Sequence, residues 1–236
     1  MFRFKEFTIH QDKCAMKVCT DACLFGAWVA DKIKTGEIDP TRILDIGSGT
    51  GFLSLMVAQS SDAKIDGVEI EEDAFRQSSE NINNSKWRDK ITLHHTPIGR
   101  FSAGTKYDLV ISNPPFYEDQ LRSPDGKKNI AMHTAMLSFE ELISAVKYNL
   151  SDNGFAAILI PFERSATLEK LAAQKGLLIA EKLNVSHSPT HAFFRSFLLF
   201  SFTKVPSIET GMTIKDSTGG YSMEFVSLLK DYYMAF

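Results

Sequence analysis

Two clusters of residue types in this chain could do chemistry together. The first is Asp45-Ile46-Gly47-Ser48-Gly49-Thr50-Gly51-Phe52, an acid followed by glycines at alternate positions. Glycines so spaced let the backbone approach a ligand closely and point the free amides of the next helix at it. They do not form the G-x-G-x-x-G turn of dinucleotide-binding proteins, because the third glycine arrives one residue early and position 52 is Phe. Farther on, Glu69 is an acid able to accept hydrogen bonds from both hydroxyls of a ribose. Its plainer alternative is a solvated carboxylate at a strand end. The second cluster is Asn113-Pro114-Pro115-Phe116, with Tyr117 behind it. An amino group attached to a heteroaromatic ring is a poor nucleophile, because its lone pair is delocalised into the ring. If the Asn113 side-chain oxygen and the Pro114 carbonyl each accept one of its hydrogens, the nitrogen is drawn toward tetrahedral geometry. The prolines stiffen the corner that aims these acceptors. Phe116 would stack on the ring, a contact worth about 1–3 kcal/mol. Outside such a setting, Asn-Pro-Pro is only a β-turn after a strand.

The elements that must position these clusters are legible as alternating short apolar runs and helical patterns. A strand over 42–46 runs into the glycines, and a helix follows over 52–59. Residues 64–70 read as a strand and 72–84 as a helix, then 91–95 and 107–112 as strands, the last ending at Asn113. Ser138 and Glu141 are spaced as a capping box for a helix over 138–150. A fifth strand over 154–161 and a helix over 163–175 continue the alternation, which predicts an α/β, doubly wound, mostly parallel sheet. Residues 177–185 and 193–203 are then two strands joined by the short polar stretch SHSPTHA. They should form an antiparallel C-terminal hairpin at the sheet edge, since parallel neighbours need a crossover of about a dozen residues or more. A last helix over 222–233 would set Phe225, Leu228, Leu229 and Tyr232 on one face. No linker-like cluster interrupts the chain, so one domain is expected, with residues 42–236 as its core and 1–41 as an N-terminal arm.

Asp45-x-Gly47-x-Gly49-x-Gly51 together with Glu69 resembles the cofactor signature of class I S-adenosylmethionine-dependent methyltransferases. The resemblance implies a Rossmann-like, seven-stranded sheet whose last strand is antiparallel, and S-adenosylmethionine as the cofactor. It assigns Asp45 to the amino group of the cofactor's methionine end. Members of that family often carry an Asp after the third strand against the adenine amino group. Thr96-Pro97-Ile98 stands there instead, and the Ile98 backbone amide is expected to serve. Asn113-Pro114-Pro115-Phe116 is similar to the N-P-P-[FY] motif of methyltransferases that act on planar nitrogens: adenine N6, cytosine N4 or a glutamine amide. No general base is required before transfer, because the nitrogen becomes acidic only as it gains the methyl group.

A second likeness spans the chain. It runs through Phe7, Cys14-Ala15-Met16-Lys17-Val18, Thr20-Asp21, Gly26-Ala27-Trp28, Glu80-Asn81-Ile82-Asn83, Ser85, Trp87, Ser112 to Tyr117, Tyr221-Ser222 and the tail Tyr232-Tyr233 to Phe236. These residues resemble the bacterial tRNA1(Val) adenine-N6 methyltransferases. The implied activity is N6 methylation of the adenosine beside the anticodon of a valine tRNA, with tRNA as partner. Methylation of ribosomal RNA or DNA uses the same pocket chemistry and stays open. Protein-glutamine methyltransferases share the motif but carry a sizeable helical domain before the first strand, and only 41 residues precede Arg42.

Charge and composition limit how RNA could be held. Twenty-six Lys and Arg against 29 Asp and Glu give a net charge of −3, so RNA must be met by a local patch and not by a global positive field. Arg122, Lys127, Lys128 and His133 follow the catalytic corner and could form a phosphate-contacting lip, with Pro115 and Tyr117 beside the base. The same span, with Ser123-Pro124-Asp125-Gly126, also reads as an ordinary solvated loop. Arg3, Lys5, Lys13 and Lys17 make the N-terminal arm mildly basic, or else Lys17, Thr20 and Asp21 close over the methionine end of the cofactor. His10, Cys14, Cys19 and Cys23 match no common metal-ligand spacing, so no metal is expected. His133, His187 and His191 read as surface histidines. With three cysteines, no secretory leader and no apolar stretch of about 18 residues, a cytoplasmic protein is expected.

Overall fold

The alternation of strands and helices is realised as one wound sheet in a computed structural model, which describes residues 1–14, 17–115 and 137–236. In chain order the elements are β1 (Phe2–Arg3), β2 (Thr8–Ile9), α1 (Thr20–Lys34), β3 (Arg42–Ile46), α2 (Phe52–Ala58), β4 (Lys64–Glu69), α3 (Glu72–Asn83), β5 (Ile91–His95) and β6 (Tyr107–Ser112). They continue with α4 (Phe139–Asn149), β7 (Leu150–Pro161), α5 (Ser165–Gln174), β8 (Leu178–Ser186), β9 (Phe193–Ser201), β10 (Ile208–Thr213) and α6 (Met223–Leu229). The large sheet has the order β10-β8-β9-β7-β6-β3-β4-β5. β3, β4, β5, β6 and β7 are parallel, and β9 runs antiparallel to both β7 and β8. β4 and β6 flank β3, so the winding reverses there. A crevice opens at such a switch point, beyond the C-terminal ends of the strands.

Strands covered on both faces must be apolar on both. Ile43, Leu44, Ile46, Leu109, Val110 and Ile111 are all at most 1% exposed. One core layer joins α1, α2 and α6 to the sheet, and the other joins α4 and α5 to its opposite face. Within the segment expected as an arm, α1 is a core helix, with Leu24, Phe25 and Val29 buried. It approaches α2 so closely that a Cβ at Gly26 would lie 2.5 Å from the Met56 sulfur. The capping box at Ser138 forms as the spacing predicts.

All seven expected strands are present, and an eighth, β10, extends the sheet by pairing in parallel with β8 from Ile208↔Glu181 to Thr213↔Ser186. It is an edge strand whose first four residues are exposed, so it lacks the apolar alternation that marks a strand in sequence. β7 begins at Leu150, ahead of the expected position 154, with a register shift against β6 between Tyr107 and Leu109. The remainder of the N-terminal arm is a short β1–β2 ladder followed by a strap across α3. Asn81 of α3 accepts from the His10 amide at 2.9 Å and donates to the carbonyls of His10 and Thr50, each at 2.9 Å. One carboxamide thus holds both the strap and the glycine turn.

Candidate active site

The glycine turn leaves β3 and is bonded back to the neighbouring strand. The amides of Gly47 and Ser48 donate to the Val68 carbonyl at 2.9 and 3.1 Å. Gly47, Gly49 and Gly51 adopt φ of 71°, 56° and 75°, the left-handed region that L side chains avoid. A Cβ at Gly47 would meet nothing within 4 Å, and one at Gly49 only the Gly47 carbonyl at 3.9 Å, so an open cradle faces these two residues. Gly51 differs, because a Cβ there would press on Ile82 at 3.1 Å and Ser78 at 3.3 Å. It serves the packing of α2 on α3.

Under this turn lies Asp45, fully buried, with Oδ2 accepting from the Ser54 hydroxyl at 2.7 Å. Burial pushes its carboxyl up to about 7, with a smaller push from the nearby Glu69 charge, while hydrogen bonds from Ser54 pull the other way. Asp45 Oδ1 and Ser48 Oγ are buried without a hydrogen-bond partner among the described residues. Such groups are costly unless something pairs with them.

Glu69, at the end of β4, is only 7% exposed. Its Oε2 accepts from the Gly49 amide at 2.8 Å, and its Oε1 from the amides of Ile70 and Glu71 at 2.8 and 2.9 Å. The carboxylate therefore shapes the turn as well as facing the cradle, and Oε2 keeps acceptor capacity for a ligand hydroxyl. Ile70 beside it is 42% exposed, an apolar side chain at the rim. Ile98 opens a short 3-10 turn, Ile98–Arg100, whose own hydrogen bonds use the amides of Arg100 and Phe101 and do not call on that of Ile98.

The Ser112 hydroxyl donates to the Ile46 carbonyl at 2.9 Å, which ties the end of β6 to the end of β3. Asn113 thereby leaves the sheet beside the glycine turn. Its Oδ1 is buried and has no partner among the described residues; Pro114 is buried and Pro115 half-buried. Phe116, Tyr117, Arg122, Lys127, Lys128 and His133 lie outside the described residues. Lys17 donates to the Gln11 carbonyl, Thr20 is exposed at the head of α1, and buried Asp21 accepts from Arg195 Nε at 2.7 Å. Cys14, Cys19 and Cys23 are free thiols, and burial raises the last to about 12. Among the described residues no group of His, Cys, Asp or Glu is arranged to hold a metal ion.

Neither Ser54 nor Ile70 stands out in the sequence reading. Ser54 is one of two small residues, with Ala58, in an apolar helix, and Ile70 reads as the last residue of a strand. The residues fit S-adenosylmethionine: a buried acid with one oxygen unpartnered among the described residues for an ammonium, an acid for a ribose and an open glycine cradle between them.

Residues 29–160 match the family model described as "Methyltransferase small domain". A protein of Dyadobacter fermentans named "tRNA1(Val) (adenine(37)-N6)-methyltransferase" is 42% identical over 100% of this chain and 98% of its own length. A protein of the same name from Christiangramia forsetii is 38% identical over 99% of this chain and 97% of its own. Among solved structures, an Agrobacterium tumefaciens protein titled as a predicted O-methyltransferase superposes with a TM-score of 0.66 at 16% identity, covering 89% of this chain and 96% of that one. The magnesium protoporphyrin IX methyltransferase of Synechocystis, solved with bound S-adenosylmethionine, gives 0.56 at 18%, covering 76% and 79%. At such identities these two structures speak for the fold alone. The match over residues 29–160 and the full-length relatives show that the chain belongs to the methyltransferase small domain family.

Proposed function

We propose that the protein transfers a methyl group from S-adenosylmethionine to N6 of an adenosine in tRNA, the one next to the anticodon of a valine tRNA. The observation that carries this reading is the buried Asn113 Oδ1 beside the glycine cradle, which has no partner among the described residues. It is an acceptor held out of water at the place where an amine would meet the cofactor. Full-length relatives that bear the tRNA1(Val) adenine-N6 name support the choice of substrate.

The cofactor, when bound, supplies an activated methyl on a positively charged sulfur. Asp45 Oδ1 would take its ammonium, Glu69 Oε2 a ribose hydroxyl and the Ile98 amide the adenine edge. Asn113 Oδ1 and the Pro114 carbonyl would accept the two hydrogens of the substrate amine and turn its lone pair toward that methyl. A nitrogen–carbon bond forms as the carbon–sulfur bond breaks, and the nitrogen then gives up one proton to water. Phe116 and Tyr117 would stack on or beside the base, and Arg122, Lys127 and Lys128 would meet phosphate. The chain's contribution is alignment and placed acceptors, not proton abstraction. A base in an anticodon loop is presented at less cost than one flipped from a duplex.

Mass spectrometry of tRNA nucleosides from cells with and without the gene tests this. Loss of N6-methyladenosine from one valine isoacceptor is expected, and an unchanged nucleoside profile would overturn the assignment. No helix among the described residues is long and apolar enough to cross a membrane. The cytoplasm, where tRNA is found, is the proposed location.

A further inference from the structure

A cavity of about 500 Å³ lies away from the glycine turn, lined among others by Asp21, His187, Phe194, Arg195, Lys215 and Tyr221. Its place on the sheet follows from the register. Ser112 of β6 is level with Ile158 of β7, and Pro161, farther along β7, pairs with Arg195 of β9. Arg195 therefore stands two strands from β6, about 10 Å sideways, and beyond the same C-terminal edge that carries Asn113. The catalytic corner and this groove open at one end of the molecule.

Its walls pair aromatic rings with cations, and the surfaces open to solvent are the exposed ring of His187 and the half-exposed ring of Tyr221, whose other face stacks on Phe225. The rings of His187 and Phe194 stack at 4.1 Å and 9°, and the Arg195 guanidinium lies 5.2 Å from the Phe194 ring centre. On the other wall Lys215 Nζ is 5.7 Å from the Tyr221 ring, which is half exposed. Of the acids nearby, Asp21 is paired with Arg195, while Asp216 keeps its charge but is held within its own turn by Thr218 and the Gly220 amide. The walls are also held by backbone. The Lys215 amide donates to the His187 carbonyl at 3.0 Å, and Lys215 and Tyr221 form an antiparallel bridge. Exposed aromatic faces interleaved with cations are how proteins hold single-stranded nucleic acid, by stacking bases and neutralising phosphates.

We infer that this groove is the docking site for the single-stranded loop nucleotides that flank the methylated adenosine. The inference rests on the tRNA reading above and adds to it a place where the RNA lies. It assigns a purpose to β10, whose continuation carries Lys215.

The test uses the full chain and an unmodified valine tRNA transcript. Lys215→Glu should weaken tRNA binding, and raise its KM, about tenfold or more, and lower the slope of log Kd against log salt by about one. The turnover number, the Kd for S-adenosylmethionine and the melting temperature should stay close to those of the parent. Lys215→Arg should bind tRNA within about twofold of the parent, and His187→Ala should lose about tenfold through the lost stacking face. If the parent methylates the tRNA and Lys215→Glu binds it equally well, the groove is overturned while the function stands. If Lys215→Glu loses cofactor affinity or melting temperature in step with tRNA affinity, the loss is distortion and the groove is again overturned. If the parent methylates no tRNA, the functional reading falls and the groove with it.

Discussion

The Glu69 carboxylate accepts a hydrogen bond from the Gly49 amide at 2.8 Å, so the acid that ends β4 holds the turn that leaves β3. Two further amides, of Ile70 and Glu71, depend on the same side chain. Glu69→Ala should therefore do two things. Three donors lose their partner, which costs about 1–3 kcal/mol of stability, and the ribose loses its acceptor. Thermal melting and calorimetry with S-adenosylmethionine would show both. An unchanged Kd would remove Glu69 from the binding site.

Asn113→Ala should leave cofactor affinity within about threefold of the parent, because no ligand contact assigned to the glycine cradle passes through this side chain. Turnover should fall about 10²–10³-fold, the usual cost of deleting one preorganised hydrogen-bonding group in an active site. Single-turnover kinetics under saturating tRNA would separate the two effects. Normal turnover with weakened cofactor binding would contradict the assignment.

Asp45 gives cofactor binding and ligand-free stability opposite pH trends. Its carboxyl titrates at about 7 in the folded protein against the ordinary carboxylate value of 3.8. The folded chain thus holds the proton more tightly than the unfolded chain, so ligand-free stability declines as pH rises from about 4 to about 7 and then levels. An ammonium needs the ionised form, so affinity for S-adenosylmethionine should weaken by up to about tenfold per pH unit as pH falls below 7. Calorimetry at several pH values checks this slope, which Asp45→Asn should abolish.

Gly47 and Gly51 share a left-handed φ but should fail differently when a methyl is added. Gly51→Ala combines about 1–2 kcal/mol of backbone strain with the overpacking of Ile82 and Ser78, itself about 1–3 kcal/mol. Its melting temperature should drop markedly. Gly47→Ala meets open space and costs only the strain, yet its methyl projects into the cradle, so cofactor affinity should suffer more than stability. Equal losses of stability in the two variants would contradict the cradle geometry.

What could be read from the chain and what could not divides along the range of the interactions. Asp45, the glycines, Glu69 and Asn113 are all at strand ends, where a local run of apolar residues breaks into turn chemistry, so their placement was legible. α1 was not, because it is buried from Asp21 to Ala30 and so carries no polar stripe to reveal its period. β10 was hidden for the opposite reason, being a mostly exposed edge held by its backbone ladder. The bonds of Glu69 to Gly49 and of Ser54 to Asp45 join residues whose approach depends on the folded sheet, and no spacing rule announces them.

The Asn81 carboxamide clasps His10 and Thr50 at once. The N-terminal strap is therefore a mechanical partner of the nucleoside cradle and not a loose tail. Whatever steadies Thr50 is passed to the strap at His10, where it joins the holds of Gln77 Oε1 on the Lys13 amide and of Glu80 on the Lys13 ammonium, so cleavage by trypsin at the exposed Lys13 side chain should slow as the cradle is filled.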